Sequence, residues 1–278
     1  MTYHLGARRS HPDKLARARP AHSHPAIRAA LAAQQPTSVD LGQYSPPIFD
    51  QGATGSCTAH AIAGGIYTVL AAAGRRLDYV PSPDAIYKQT RARARALAAL
   101  GSNTLPELTD SGAEVADVIG GLSENGIRPI KTLAPDGRYS DVDPTTVNDE
   151  PALMDLEIGA NSVLAGPYAV EPTQANATEV YTAALTANIE LDIAFFVDSA
   201  FMNLQSGQIA GAPDQNDPNG GGHSVRLSGF QVTPTGTLFI LTNSWGSGWC
   251  NNGRCLVGPA FMAAVWEVWP VAITAEAA

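Results

Sequence analysis

The amino-acid sequence predicts an α+β fold in which a helical half and a half of antiparallel strands face each other across a groove. Apolar residues recur every three or four positions over residues 59–73, as in a buried helix. The segments 220–230 and 237–246 are rich in strand-forming residues, and a Thr-Pro-Thr-Gly turn signal separates them. Residues 191–197 form an apolar run typical of a buried strand.

The first predicted helix begins at Cys57 and ends before Gly74. Unpaired backbone N–H groups and the dipole at a helix N-terminus favour the thiolate form of such a cysteine. Gly52 and Gly55 suit the tight turn that leads into the helix. Two donors are available for the oxyanion of an acyl-transfer reaction, namely the side-chain amide of Gln51 and the Cys57 backbone N–H.

The predicted hairpin brings two further polar side chains together. His223 opens its first strand and Asn243 closes its second, so both lie near the open end of the hairpin. Asn243 is then placed to orient the imidazole by a hydrogen bond, as the third residue of a catalytic triad does. Trp245 is expected to screen that bond from water. The pattern indicates nucleophilic catalysis with Cys57 as nucleophile.

A second helix is predicted to begin after Ser82, which caps it, with Pro83 in its first turn. Three arginines on this helix are expected to form a solvated face: Arg91, Arg93 and Arg95. His60, one turn after Cys57, is expected to have a structural or solvated role, because His223 already supplies the base.

A third helix is predicted from a capping box formed by Ser111 and Glu114, and it is stopped by Gly126. A short helix is expected around Phe201, directly after the buried strand. The stretch 136–176 is rich in Pro, Asp, Asn and Thr, and we expect inserted loops there.

Residues 1–37 form a separate arm in which arginines, histidines and prolines dominate and a short helix is predicted only near residues 27–33. Two alternatives stay open for what this arm binds. Either it lies over the substrate groove of its own domain like a short propeptide, or it docks on a partner in a larger assembly. Residues 38–278 are expected to form the catalytic domain.

Length and composition describe one sizeable domain with a short appendage. The 278 residues carry a formal net charge of −9, and 45% of them are hydrophobic. The acidic balance argues against nucleic acid as the main partner. The longest apolar run, residues 61–74, is too short for a membrane span. Because the start of the chain lacks the apolar core of a secretory signal, we expect a cytoplasmic or particle-associated protein.

The chain has three cysteines, too few for a typical disulfide framework. Cys250 and Cys255 flank a tight turn, and either a local disulfide or two reduced thiols fit this spacing. Since no second pair of ligands lies nearby in sequence, we expect no metal site. The chemistry indicated by Cys57 and His223 implies no cofactor.

Three blocks carry a resemblance to a known family: Gln51 to Cys57, Gly-His-Ser-Val at His223, and Asn-Ser-Trp-Gly-Ser-Gly-Trp from Asn243. They resemble the active-site blocks of papain-like cysteine peptidases. The resemblance extends over most of the chain and implies a two-lobed papain-like fold. It implies that Cys57 is the nucleophile, His223 the general base and acid, Asn243 the orienting residue, and Gln51 the oxyanion donor.

The resemblance also implies substrate contacts from three residues: Ser111, Gly112 and Trp245. The sequence departs from plant and animal members at Thr58, where they usually have Trp, and at Thr54, where they usually have a disulfide cysteine. The segment 110–113 lacks the expected bridging partner as well, so no orphan thiol is left. We expect a variant of bacterial or phage type that manages without the bridge.

These observations together predict a cysteine peptidase that hydrolyses peptide or protein substrates through a thioester acyl-enzyme. Two alternatives stay open. The scaffold serves as a structural or binding component of a larger assembly, docked through residues 1–37, or the acyl group is transferred to an amine instead of water.

Overall fold

The computed structural model describes residues 4–75, 80–101, 104–125, 138–151 and 167–273. Mixed helices and a large, mainly antiparallel sheet confirm the α+β prediction. Two clusters of buried apolar side chains form the core, one around the sheet and one around the helix that begins at Cys57. The predicted stop at Gly126 lies outside the described residues.

The strands of the described chain are β1 (Ala7–Arg8), β2 (Arg19–Pro20), β3 (Ser38–Asp40), β4 (Ala113–Glu114), β5 (Tyr168–Ala169), β6 (Leu191–Val197), β7 (Ile209–Ala210), β8 (Gly221–Thr233), β9 (Gly236–Thr242), β10 (Arg254–Val257) and β11 (Val265–Pro270). The large sheet has the order β11-β6-β8-β9-β10-β7, and β3 also pairs with β8. Strands β8 and β9 form the predicted hairpin, with Thr233 opposite Gly236 at the turn. Strand β6 lies antiparallel to β8 and places Phe195 opposite His223.

The described helices are α1 (Pro12–Arg17), α2 (Pro25–Ala32), α3 (Cys57–Ala72), α4 (Pro83–Ala98), α5 (Val115–Asn125), α6 (Ala177–Thr186), α7 (Ser199–Met202) and α8 (Pro259–Met262). Helix α3 is buried along most of its length because small and apolar side chains cover nearly all its faces. It packs against β8 on one side and against α4 and α5 on others. None of the described helices combines the length and apolar character that crossing a membrane requires.

Helix α4 begins as predicted, since the Ser82 hydroxyl accepts a hydrogen bond from the Ala85 backbone N–H. The prediction of a solvated arginine face is wrong for Arg91, which is only 4% exposed. Its guanidinium lies 4.0 Å from the centre of the Tyr87 ring and donates to the Thr109 and Val147 carbonyls. Backbone acceptors of the neighbouring loops therefore replace water around this charge.

The predicted capping box at Ser111 and Glu114 is wrong. Residues 113–114 form strand β4, and α5 begins only at Val115. The Glu114 carboxylate instead accepts hydrogen bonds from the His11 backbone N–H and the Lys14 ammonium. A long-range partner from the arm thus replaces the local capping interaction that the sequence suggests.

The N-terminal arm lies on its own chain. Strand β1 pairs in parallel with β4, β2 pairs in parallel with β5, and α2 packs against α6. Buried Glu267 accepts hydrogen bonds from both the backbone N–H and the hydroxyl of Ser10, at 2.6 and 2.7 Å. Lys14 makes ion pairs of 2.8 Å with Glu114 and with Asp117. The arm is therefore anchored at its first strand and at several points after it.

Candidate active site

Cys57 is the first residue of α3, as the sequence predicts, and it is fully buried. Burial raises the pKa of its thiol to about 11, against the opposing effect of backbone hydrogen bonds from Ser224, Gly6 and Thr58. The expected thiolate is therefore not favoured in this state, because the cost of burying the charge exceeds the stabilisation from the helix N-terminus. The Ser224 contact places the sulfur beside the residue that follows His223.

His223 and Asn243 are brought together at the open end of the β8–β9 hairpin. His223 Nε2 lies 2.8 Å from Asn243 Oδ1, and the same oxygen accepts the Ser244 backbone N–H at 2.8 Å. Because an amide oxygen only accepts hydrogen bonds, Nε2 carries the proton. The buried Nδ1 has no hydrogen-bond partner within the described residues. The imidazole thus keeps Nδ1 as its basic nitrogen.

Trp245 stacks on the His223 ring, with ring centroids 4.5 Å apart and planes inclined by 20°. Both residues are buried: His223 is completely buried, and Trp245 is 5% exposed. This burial lowers the pKa of His223 to about 4, although the Asn243 hydrogen bond opposes the shift. Imidazole and thiol are consequently both neutral near pH 7 in this state.

The Gln51 carboxamide is held from both ends. Its oxygen accepts the Ser244 hydroxyl at 2.7 Å, and its nitrogen donates to the Thr54 carbonyl at 2.8 Å and to the His4 carbonyl at 2.9 Å. Since His4 belongs to the N-terminal arm, the predicted oxyanion donor is occupied by a carbonyl of the same chain.

The arm crosses the groove beside Cys57. The Gly6 N–H hydrogen-bonds the Cys57 sulfur, and the Gly6 carbonyl accepts the Ala113 backbone N–H at 2.9 Å. A Cβ built on Gly6 would fall far inside the contact distance of the Gly55 carbonyl oxygen, and one built on Gly112 would collide with the Gly6 carbonyl. Only a residue without a side chain fits between these two backbones.

The predicted substrate-contacting residues lie in different environments. Gly112 is buried against the arm, Ser111 beside it is exposed, and Trp245 is mostly covered by other aromatic rings. Trp245 also lines an open cavity of about 600 Å³ together with Pro47, Arg138 and Trp249. Of the three, Gly112 therefore contacts the arm and Trp245 contacts the His223 ring.

Sequence reasoning missed Asp192, a fully buried carboxyl on β6 that accepts the Ser224 hydroxyl at 2.7 Å. Burial raises the pKa of its carboxyl well above the usual range, which favours the neutral acid. Its signal in the sequence was a single acid within the apolar run 191–197. His60 is fully buried as well and hydrogen-bonds Ser140 Oγ at 2.8 Å, which suits the structural role expected for it.

All three cysteines are free, so of the two expectations for Cys250 and Cys255 the structure has the reduced thiols. Within the described part of the chain, no group of three or more His, Cys, Asp or Glu side chains is arranged to hold a metal ion.

Residues 160–258 match the family model described as papain family cysteine protease. This region holds His223 and Asn243 but not Cys57. A stretch of 210 residues is 28% identical to a protein of Acanthamoeba polyphaga mimivirus described as an uncharacterized peptidase C1-like protein. The match covers 73% of this chain but only 61% of that relative's length.

Solved structures share the fold over nearly the whole chain. Xylellain, a cysteine protease from Xylella fastidiosa, matches with a TM-score of 0.71 at 21% identity, covering 98% of this chain and 97% of its own. The procathepsin B S9 of Trypanosoma congolense matches with a TM-score of 0.69 at 15% identity, covering 98% and 87%. Residues 160–258 thus resemble the papain family of cysteine proteases, and the chain shares the fold of these solved structures.

Proposed function

We propose that this protein is a cysteine peptidase that hydrolyses peptide bonds through a thioester acyl-enzyme. One observation carries the proposal. Cys57 at the start of α3 is hydrogen-bonded by the residue next to His223, whose ring is oriented by Asn243 with its basic nitrogen unpaired. A nucleophile, a base and an orienting group are the parts that covalent acyl transfer requires.

In this mechanism, His223 Nδ1 takes the thiol proton and the Cys57 sulfur attacks the substrate carbonyl. The oxyanion receives hydrogen bonds from the Gln51 amide and the Cys57 backbone N–H. The imidazolium then protonates the leaving amine, so that a thioester and the first product remain. His223 next removes a proton from water, which attacks the thioester and releases the acid and the free thiol.

The proposal includes a latent state in which residues 4–7 of the arm occupy the catalytic groove. The His4 carbonyl takes a hydrogen bond from the oxyanion donor, and Gly6 covers the sulfur. Several structural neighbours are described as proforms, among them procathepsin L 3 of Tenebrio molitor, which supports a propeptide-like role for residues 1–37. Docking of this arm on a partner in an assembly stays a prediction.

Peptide hydrolysis with labelled water tests the reaction. The full chain carrying Gly6→Val, a substitution that displaces the arm, is incubated with a peptide mixture in H₂¹⁸O. One ¹⁸O in each new carboxyl group is expected. Products carrying a new amide from an added amine would instead indicate acyl transfer, and intact peptides would contradict the peptidase.

The raised thiol pKa predicts how Cys57 reacts in the latent chain. With a pKa of about 11, only about one thiol in 10⁴ is ionised at pH 7. The rate of Cys57 alkylation by iodoacetamide should therefore rise about tenfold per pH unit between pH 7 and 10. Mass spectrometry of the peptide that contains Cys57 measures this rate. A rate that is flat over the same range would contradict the neutral thiol.

Replacing Asn243 by alanine is expected to lower kcat about 10- to 100-fold while KM changes little. The Nε2–H of His223 would lose its acceptor, so the imidazole would no longer be held in the tautomer that leaves Nδ1 basic. Steady-state kinetics with a chromogenic peptide measure the effect. Asn251→Ala, at an exposed turn nearby, is the matched control and should retain full activity.

A further inference from the structure

A chain of hydrogen bonds joins the two backbones between which Gly6 lies. The Gly55 N–H donates to both carboxylate oxygens of Asp110, at 3.0 and 3.1 Å. The Tyr87 hydroxyl donates to Asp110 Oδ1 at 2.5 Å and accepts the Gly112 N–H at 2.9 Å. The gap between the backbones of Gly55 and Gly112, beside Cys57, is called the slot. We infer that Asp110 and Tyr87 are positioning residues that fix the width of this slot and thereby the binding of a peptide backbone. The inference rests on the proposed peptidase function.

The slot has the width of one peptide backbone. Gly6 of the arm fits between Gly55 and Gly112 only because it has no Cβ, and its carbonyl pairs with the Ala113 N–H. A substrate that takes the place of the arm would lie between the same two backbones, those of Gly55 and Gly112, which form the walls of the slot. Since Gly55 lies two residues before Cys57, a change in its distance from Gly112 would move a bound backbone relative to the nucleophile.

The hydrogen-bond chain is built on a rigid element. Tyr87 projects from α4 and is fully buried, and burial raises the pKa of its phenol, which therefore stays protonated and can donate and accept at once. The Arg91 guanidinium covers the ring from one turn further along the helix and donates to the Thr109 carbonyl at 2.5 Å. This contact fixes the backbone directly before Asp110.

No disulfide holds the Gly55 and Gly112 backbones at a fixed distance. The three cysteines of the chain are Cys57, Cys250 and Cys255, and all are free, so neither wall of the slot is held by a disulfide. The distance between Gly55 and Gly112 therefore depends on the carboxylate and the phenol that bridge them.

Tyr87→Phe tests the inference, since it removes the acceptor of the Gly112 N–H and the donor to Asp110 while keeping the ring. In the full chain carrying the arm-displacing Gly6→Val substitution, KM for a peptide is expected to rise about tenfold with kcat nearly unchanged. Alkylation of Cys57 by iodoacetamide, a reagent too small to need both walls, should keep its rate. Asp110→Asn, which retains one acceptor for Gly55, should raise KM less than Asp110→Ala.

Tyr181→Phe is the matched control. The Tyr181 phenol is 2% exposed, and its hydroxyl has no hydrogen-bond partner within the described residues, so the same atom is removed without breaking a bond. Equal KM values for the Tyr87 and Tyr181 variants, or a fall in kcat at unchanged KM, would overturn the inference. If Tyr87→Phe does not fold, the Asp110 pair of variants decides by the same criteria.

A second readout does not depend on hydrolysis. In the chain with its native Gly6, a looser slot should hold the arm less tightly, so Tyr87→Phe is expected to speed Cys57 alkylation at least about threefold over Tyr181→Phe. Equal rates would count against the inference even if no peptide were cleaved. Absence of hydrolysis in the parent chain, by contrast, would contradict the proposed function alone.

Discussion

Replacing Cys57 by alanine is expected to lower kcat/KM for peptide hydrolysis by at least about 10⁴-fold. The substitution removes the sulfur that forms the thioester, and the neighbouring hydroxyls of Ser56 and Thr58 lie on other faces of the start of α3. Oxyanion donors and substrate binding alone then supply the residual rate. The measurement is release of product from a chromogenic peptide by the full chain in the Gly6→Val background.

Cys250→Ala is the control for this experiment. It removes a partly buried thiol on the turn before β10, and activity is expected to stay within about twofold. The circular dichroism spectrum and the unfolding midpoint of the Cys57 variant should match those of the parent, because only one buried atom is lost. Undiminished hydrolysis by Cys57→Ala would exclude the proposed mechanism.

The second large effect is expected at Gly6, where valine should raise kcat/KM of the full chain at least about 20-fold. A Cβ at this position collides with the Gly55 carbonyl, which is backbone and cannot rotate away. The arm therefore has to leave the groove near Cys57. Departure of Gly6 and His4 would return water to the thiol and free the Gln51 amide for the oxyanion.

Displacement of the arm is also expected to change how the rate of Cys57 alkylation depends on pH. Burial is the largest cause of the raised pKa of Cys57 and of the lowered pKa of His223, so exposing the groove should bring the two values together. Alkylation of Cys57 at pH 6 to 7 should then be faster in the Gly6→Val chain than in the native chain, and its rate should level off at a lower pH. The native chain should instead show the steep rise with pH described above.

Ala32→Val is the matched control for Gly6→Val. It adds a bulky side chain to an exposed position of the same arm, at the end of α2, and should leave the chain latent. Ser10 and Lys14 keep their contacts with Glu267 and Glu114 in both variants, so the fold is expected to persist. Equal activity of native and Gly6→Val chains would contradict the latent state.

Local patterns in the sequence were sufficient for the elements that carry the proposed catalytic residues. The spacing of apolar residues placed the start of α3 at Cys57, and the Thr-Pro-Thr-Gly signal placed the β8–β9 turn. A hairpin brings its two open ends together by its own geometry, so the pairing of His223 with Asn243 could be anticipated. These features depend on residues that are near in sequence.

Features that depend on distant partners were not predictable in this way. Glu114 has the spacing of a capping residue but pairs with Lys14, and Arg91 has the appearance of a surface residue but is buried against Tyr87. Asp192 resembled part of an ordinary buried strand until β8 placed the Ser224 hydroxyl opposite its carboxyl. Each depends on a contact between segments that the sequence does not bring together.

The sequence by itself indicated the resemblance to papain-like cysteine peptidases, the fold class and the three side chains to which we assign the chemistry, because motif spacing and hydrophobic periodicity are local properties of the chain. The tertiary structure decided how burial shifts the pKa values of Cys57 and His223, and it placed Gly6 over the sulfur. The reason is physical: solvent access and the electrostatic cost of a charge depend on everything that packs around a group, and here that includes an arm from the other end of the chain.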